Sequence, residues 1–175
     1  MGRTQPLLRV RAWPLELVNG VPLEPDLIVQ HVDELRSQVE PGLFRSFDPA
    51  ALPGTSFPAF ELVAAAYTLD DVAGEQVSLA VRDALFEDGR DVSNPSVLAE
   101  IGQRYGVPDP GPDAHRSVLA DYDAGKRLGV RGSPEYFLDG RGYFCPALRI
   151  QEIGGKLEIE SAPEAFDAFV EECFH

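Results

Sequence analysis

Gly129-Val130-Arg131-Gly132-Ser133-Pro134-Glu135-Tyr136-Phe137-Leu138-Asp139-Gly140 is the stretch on which the fold turns. A glycine stops a preceding helical pattern, a tight Gly-Ser-Pro turn follows, and residues 135–138 have the aromatic and aliphatic content of a strand. Asp139-Gly140 is a two-residue hairpin signal because both residue types tolerate positive φ, and it leads into Tyr143-Phe144. Helix, tight turn, strand, hairpin and second strand are therefore expected in that order.

On the amino-terminal side, Asp113 is expected to cap a helix bearing Val118, Leu119, Tyr122 and Leu128 and closed by Gly129. Before it, residues 57–106 read as helix in three pieces. Residues 59–67 are almost wholly apolar and should be buried on most sides. Residues 71–87 carry Val77, Ala80, Val81, Ala84 and Leu85 on one stripe, capped by Asp70-Asp71 and ending at Gly89. The third piece opens at Ser93-Asn94-Pro95 and carries Val97, Leu98, Ile101 and Tyr105 up to Gly106. Residues 48–58 hold three prolines and a glycine and read as loop, whereas 27–39 read as a short amphipathic helix that starts at Pro25-Asp26. Alternation from Leu8 to Val18 predicts a strand over Leu8–Leu17 that enters a turn at Asn19-Gly20; Pro14 marks an edge, a bulge or the strand's end. Past the hairpin, Leu157-Glu158-Ile159 reads as a short strand or hairpin arm, and Ala162-Pro163 opens a last helix with Ala165, Phe166, Phe169 and Val170 on one face.

Composition narrows the function classes. The 175 residues include 15 basic and 29 acidic side chains, for a net charge of −14, and only two lysines, Lys126 and Lys156. Such a surface repels polyphosphate and anionic lipid, so nucleic acid and membrane are poor partners. No run of apolar residues is long enough to span a bilayer, Met1 to Val10 lack the apolar core of a secretory signal, and a cytoplasmic location is expected. The two cysteines, Cys145 and Cys173, stand 28 positions apart, with His31, His115 and His175 as the other soft ligands. They make neither a C-x-x-C pair nor a standard zinc site, so no metal is expected. Nor is a cofactor: Gly129-Val130-Arg131-Gly132 follows a helix and lacks the Lys-Ser/Thr ending of a phosphate loop.

The succession of helix, G-V-x-G-x-P, apolar strand, D-G, second strand and carboxy-terminal helix resembles the back half of a DsbA-like thioredoxin-fold protein. That family is related to 2-hydroxychromene-2-carboxylate isomerase and kappa-class glutathione transferase. The passage from Ala84-Leu85-Phe86 through Asp91-Val92-Ser93-Asn94-Pro95 to Val97-Leu98-Ala99 is similar to a characteristic "LF…(D)xS(N/D)PxxL" passage of the same family. The likeness runs from about Arg9 to Phe169. It implies an α/β, thioredoxin-like fold with an all-helical insert at about 57–108 in a single domain, 1–175, that lacks its first βα unit. By the same resemblance Ser133 and Pro134 occupy the cis-proline dipeptide and face the substrate, and the activity is thiol–disulfide oxidoreduction. The implied partner is a low-molecular-weight thiol or a small-molecule or disulfide substrate, with an oligomer open.

One departure is large. The family's first strand ends in a C-x-x-C motif at a helix N-terminus, where one thiol becomes a thiolate nucleophile; this chain opens just before the second strand and has no such motif. Three explanations stand: a true start upstream, Met1-Gly2-Arg3-Thr4-Gln5 being interior sequence; a degenerate homologue completed by its first ten residues or by another chain; or a misleading likeness. The alternative function is a non-catalytic small-molecule-binding or interaction protein on a degenerate thioredoxin fold. No residue is assigned as catalytic. Trp13, at the end of the expected strand, lines a substrate pocket or belongs to the core. Cys145 reads as a small core hydrophobe, Cys173 as an exposed incidental thiol, and His31 as solvent-facing.

Overall fold

The structure is a computed structural model that describes residues 8–21 and 24–174; Met1-Gly2-Arg3-Thr4-Gln5 and His175 lie outside them. It is a mixed α/β molecule. Among the described residues there are seven α-helices, α1 (Leu15–Asn19), α2 (Pro25–Gln38), α3 (Phe57–Tyr67), α4 (Asp71–Phe86), α5 (Pro95–Tyr105), α6 (Pro112–Leu128) and α7 (Pro163–Cys173). Four strands, β1 (Glu135–Leu138), β2 (Arg141–Phe144), β3 (Leu148–Ile153) and β4 (Lys156–Ser161), form two separate antiparallel hairpins, β1–β2 and β3–β4.

The helical pieces form where the apolar spacing puts them. Ala59, Leu62, Val63, Ala65 and Ala66 of α3, Val77 and Ala84 of α4, and Val97, Leu98 and Ile101 of α5 close one buried cluster with Val92 and Val107. Across its other side α3 meets α6, whose Val118 is fully buried. The caps are local chemistry: Asp70 Oδ1 accepts from the Ala73 N–H at 2.7 Å, and the Asn94 side chain accepts from the Ser96 N–H at 2.9 Å. Helix α4 stops at Phe86, earlier than Gly89 suggests, but Gly89 has φ +63° and lets Arg90 N–H reach back to the Ala84 carbonyl. A Cβ there would stand 2.2 Å from the Ser46 carbonyl oxygen, so this crossing needs glycine. The cap of α6 is Gly111, not Asp113, because Pro112 takes the first helical position, where its fixed φ and missing N–H cost nothing.

The expected strand over Leu8–Leu17 does not form. Leu8 to Pro14 runs without regular structure and residues 15–19 are the helix α1. The N–H groups of Val10 and Ala12, which a ladder would use, donate instead to the Tyr67 hydroxyl at 2.7 Å and to Asp121 Oδ2 at 3.1 Å. Pro14 then brings no N–H, and its carbonyl accepts from Leu17 and Val18 to start the helix. The alternation is nevertheless used: Arg9 and Arg11 pair with Asp71 and Asp121, both at 2.8 Å, so the segment straps the junction of α3 and α4 to the middle of α6.

The arm expected at Leu157–Ile159 is β4, and its partner β3 starts at Leu148. Gly154 and Gly155, both at positive φ, make the tight turn that joins them and set Ile150 opposite Ile159. Helix α2 covers this hairpin. Its Gln38 amide donates to the Leu157 carbonyl and accepts from the Ile159 N–H, at 3.0 and 2.9 Å, so one side chain satisfies the outer edge of β4 as a neighbouring strand would.

Candidate functional site: the Ser133–Pro134 turn

Helix α6 ends at Gly129, whose φ of +74° turns the chain away, and Val130 N–H closes back on the Gly125 carbonyl. The next five residues form the turn into β1. The Ser133–Pro134 peptide bond is cis, and both residues are exposed. The Pro134 carbonyl accepts from the Cys145 N–H at 3.0 Å. Ser133 makes no hydrogen bond with any described residue through its N–H, carbonyl or hydroxyl. The turn thus offers an open backbone at its apex while its base is tied down.

The base is tied by β1 and β2. Asp139 and Gly140, at φ +48° and +82°, supply the hairpin turn that their sequence announces, and the register places Glu135 opposite Phe144 and Tyr136 opposite Tyr143. Tyr136 and Tyr143 therefore share one face, on which Phe169 of α7 lies with ring centroids 5.2 and 5.0 Å away. Glu172 accepts from the Tyr143 hydroxyl and pairs with Arg141 at 3.4 Å, which holds α7 in place. On the turn itself, Phe144 lies so close to Gly132 that a Cβ there would meet its ring at 2.7 Å. The outer edge of β1, unlike that of β4, is taken by no strand and no side chain among the described residues.

Of the residues singled out in the sequence, Ser133 and Pro134 stand together at this apex. Trp13 is not a strand residue. It lies half-buried on α6, tilted against Tyr122 at 5.2 Å and over Gly125, where a Cβ would come within 2.6 Å of its ring. Cys145 is buried with φ +42°, directly behind Pro134. Burial pushes its thiol pKa up, against a smaller opposing pull from the Leu148 N–H, so the group is a poor thiolate. Cys173 and His31 are half-buried, where exposure was expected. No group of three or more His, Cys, Asp or Glu among the described residues is arranged to hold a metal ion. No described helix is long and apolar enough to cross a membrane.

Sequence reading passed over Glu135. Its side chain is 3% exposed, and its carboxylate accepts from the Arg131 N–H at 2.7 Å and from the Arg131 guanidinium at 3.0 and 2.8 Å. Burial raises its pKa, but the Arg131 and Gly132 N–H groups and the guanidinium outweigh that and leave it below the usual glutamate range. The i,i+4 Arg-Glu spacing across Gly-Ser-Pro was the available signal. It is easily missed, because that spacing is usually read as a helix pair.

Comparison of the chain with protein-family models, with curated proteins and with solved structures finds no match.

Proposed function

We propose that this chain is a DsbA-like thioredoxin domain of the thiol–disulfide oxidoreductase family, without redox cysteines of its own among residues 1–175. The observation that carries the reading is the exposed Ser133–Pro134 turn, with an unpaired Ser133 backbone, feeding a strand whose second edge is open. An extended chain that carries a disulfide could lie along that backbone, and a thiolate attacking one sulfur would give a mixed disulfide and release the other as thiolate. The order of elements supports the same reading: helical layer, glycine-closed helix, turn, antiparallel hairpin and, after a second hairpin, a closing helix.

The attacking thiolate is not one of the two cysteines present. Cys145 is buried with a raised pKa, Cys173 sits at the end of α7, and both are free. That favours a second reading, a non-catalytic protein that binds a small molecule or a partner at the same turn. Insulin reduction by dithiothreitol separates the two. On the oxidoreductase reading, residues 1–175 alone leave the rate at the dithiothreitol background. A form extended by the roughly 40–50 preceding in-frame codons, about one strand and helix, is expected on this reading to carry a C-x-x-C motif or a close variant and to accelerate it. A stop codon in that frame, with no acceleration, leaves the binding reading. Acceleration by 1–175 that survives Cys145→Ser with Cys173→Ser would contradict any thiol mechanism for this chain.

A further inference from the structure

We infer that Glu135 is the positioning residue of the Ser133–Pro134 turn, with Arg131 as its counter-ion and not as a hand for ligand; the functional meaning of the assignment rests on the reading above. Glu135, one residue beyond the apex, is half-buried as a residue but its side chain is only 3% exposed, and shielding a charge from water is costly unless it is fully paired. Here it is. Both oxygens are engaged by residue 131, one by the backbone N–H and the other by the guanidinium, so the carboxylate spans the turn from 131 to 135 as a brace. The turn has no other internal tie of this kind, because Ser133 is unpaired and the Pro134 carbonyl is committed to Cys145 on the far side.

The neighbours are fitted to the brace. Gly142 on the opposing strand leaves room for it: a Cβ there would approach Glu135 Oε1 to 3.1 Å. The Arg131 guanidinium, bound by Glu135, lies 5.5 Å from the centroid of the Phe144 ring, and that ring also stops Gly132 from carrying a side chain. Carboxylate, guanidinium and ring thus fix residues 131, 132 and 135, and leave Ser133 and Pro134 as the part of the turn that faces outward. Arg131 is 63% exposed and would otherwise look like an anion-binding side chain; its partner makes it part of the scaffold.

The test is amide hydrogen exchange, read residue by residue, on the whole chain and on Glu135→Gln and Arg131→Gln. Each variant is expected to speed exchange at Arg131 and Gly132 by about 10-fold, while the unpaired Ser133 amide and the amides of α3 to α6 stay as they were. In the unaltered chain the same two amides should exchange faster than the pH dependence of free amides allows as acid protonates Glu135, and that excess should vanish in Glu135→Gln. Unchanged exchange at residues 131 and 132 in both variants overturns the assignment, as does equal acceleration throughout the helical layer, which would make Glu135 a general stabilising residue. Arg131→Gln keeps the test available if Glu135→Gln fails to fold. Titration with oxidised glutathione, followed at the Ser133 amide, separates the two claims. Local acceleration without a glutathione-dependent shift keeps Glu135 as the brace and removes the disulfide reading; a shift in the unaltered chain that weakens in the variants supports both.

Discussion

The helical layer and the carboxy-terminal hairpins of this chain are built to different standards of closure. In α3, α4 and α5 nearly every inward residue is buried, and Ala66 and Val77 lose all solvent contact. In β1, β2 and α7 no residue is buried, and Phe144 and Phe166 remain 39% and 42% exposed. The first region has the features of a part that holds itself together, since apolar burial at ~25 cal/mol per Å² is the main favourable term in folding. The second spends little on its own stability and presents an exposed turn and an open edge, as ligand-receiving regions do.

The contrast can be broken by mutation. Leu62→Ala, in the middle of the helical core, should cost about 2–5 kcal/mol in denaturant unfolding, because the surrounding helices cannot collapse into the hole. Gly74→Ala should cost about 1–3 kcal/mol: its Cβ would lie 2.2 Å from the ring of Tyr67, which receives the Val10 N–H, so the amino-terminal strap must move with it. Phe166→Ala, an equally apolar truncation in the other region, should cost less than about 1 kcal/mol and leave the midpoint nearly unchanged. Should Phe166→Ala cost as much as Leu62→Ala, the two regions would be one cooperative core and the contrast would fail.

Acid sharpens the same comparison by smaller steps. Glu16 fastens α1 to the start of α3 and accepts from the Ser56 N–H at 2.7 Å and from the hydroxyls of Ser56 and Thr55. Burial alone would raise its pKa, yet these bonds and its own backbone N–H lower it. Glu135 is lowered for similar reasons. A carboxyl with a depressed folded pKa stabilises above its unfolded pKa, and that contribution is lost as the pH falls through the folded value. The stability of the chain should therefore fall on the acid side of the usual glutamate range. The limb should flatten in Glu16→Gln and, locally at the turn, in Glu135→Gln. An acid limb unaltered by both substitutions would assign it to other carboxylates.

The helical layer was legible because its signals are local: apolar spacing at 3.6 residues, Asn94-Pro95 and Asp70 as caps, Gly106 and Gly129 as stops. The β1–β2 hairpin was legible for the same reason, through Asp139-Gly140. The Leu8–Leu17 strand was misread because alternation reports which faces a segment has, not who takes its hydrogen bonds. Here Tyr67 and Asp121, 57 and 109 positions away, take them. Trp13, read from sequence as lining a pocket or belonging to the core, is half-buried against α6 for a similar long-range reason, the bare Gly125 beneath it. Ser133 and Pro134 could be placed at a tight turn from sequence; the Glu135–Arg131 brace shows only in three dimensions, since nothing in a linear spacing says that the residues between fold back.

Native-state hydrogen exchange across the whole chain tests the division most directly. Amides of α3 to α6 should exchange only through global unfolding, with protection that falls in step with denaturant, while those of β1, β2 and α7 open at a lower free energy and ahead of the helices. Equal protection in both regions, lost together, would contradict the account, because the turn at Ser133–Pro134 would then belong to the same closed core as Leu62 and Val77.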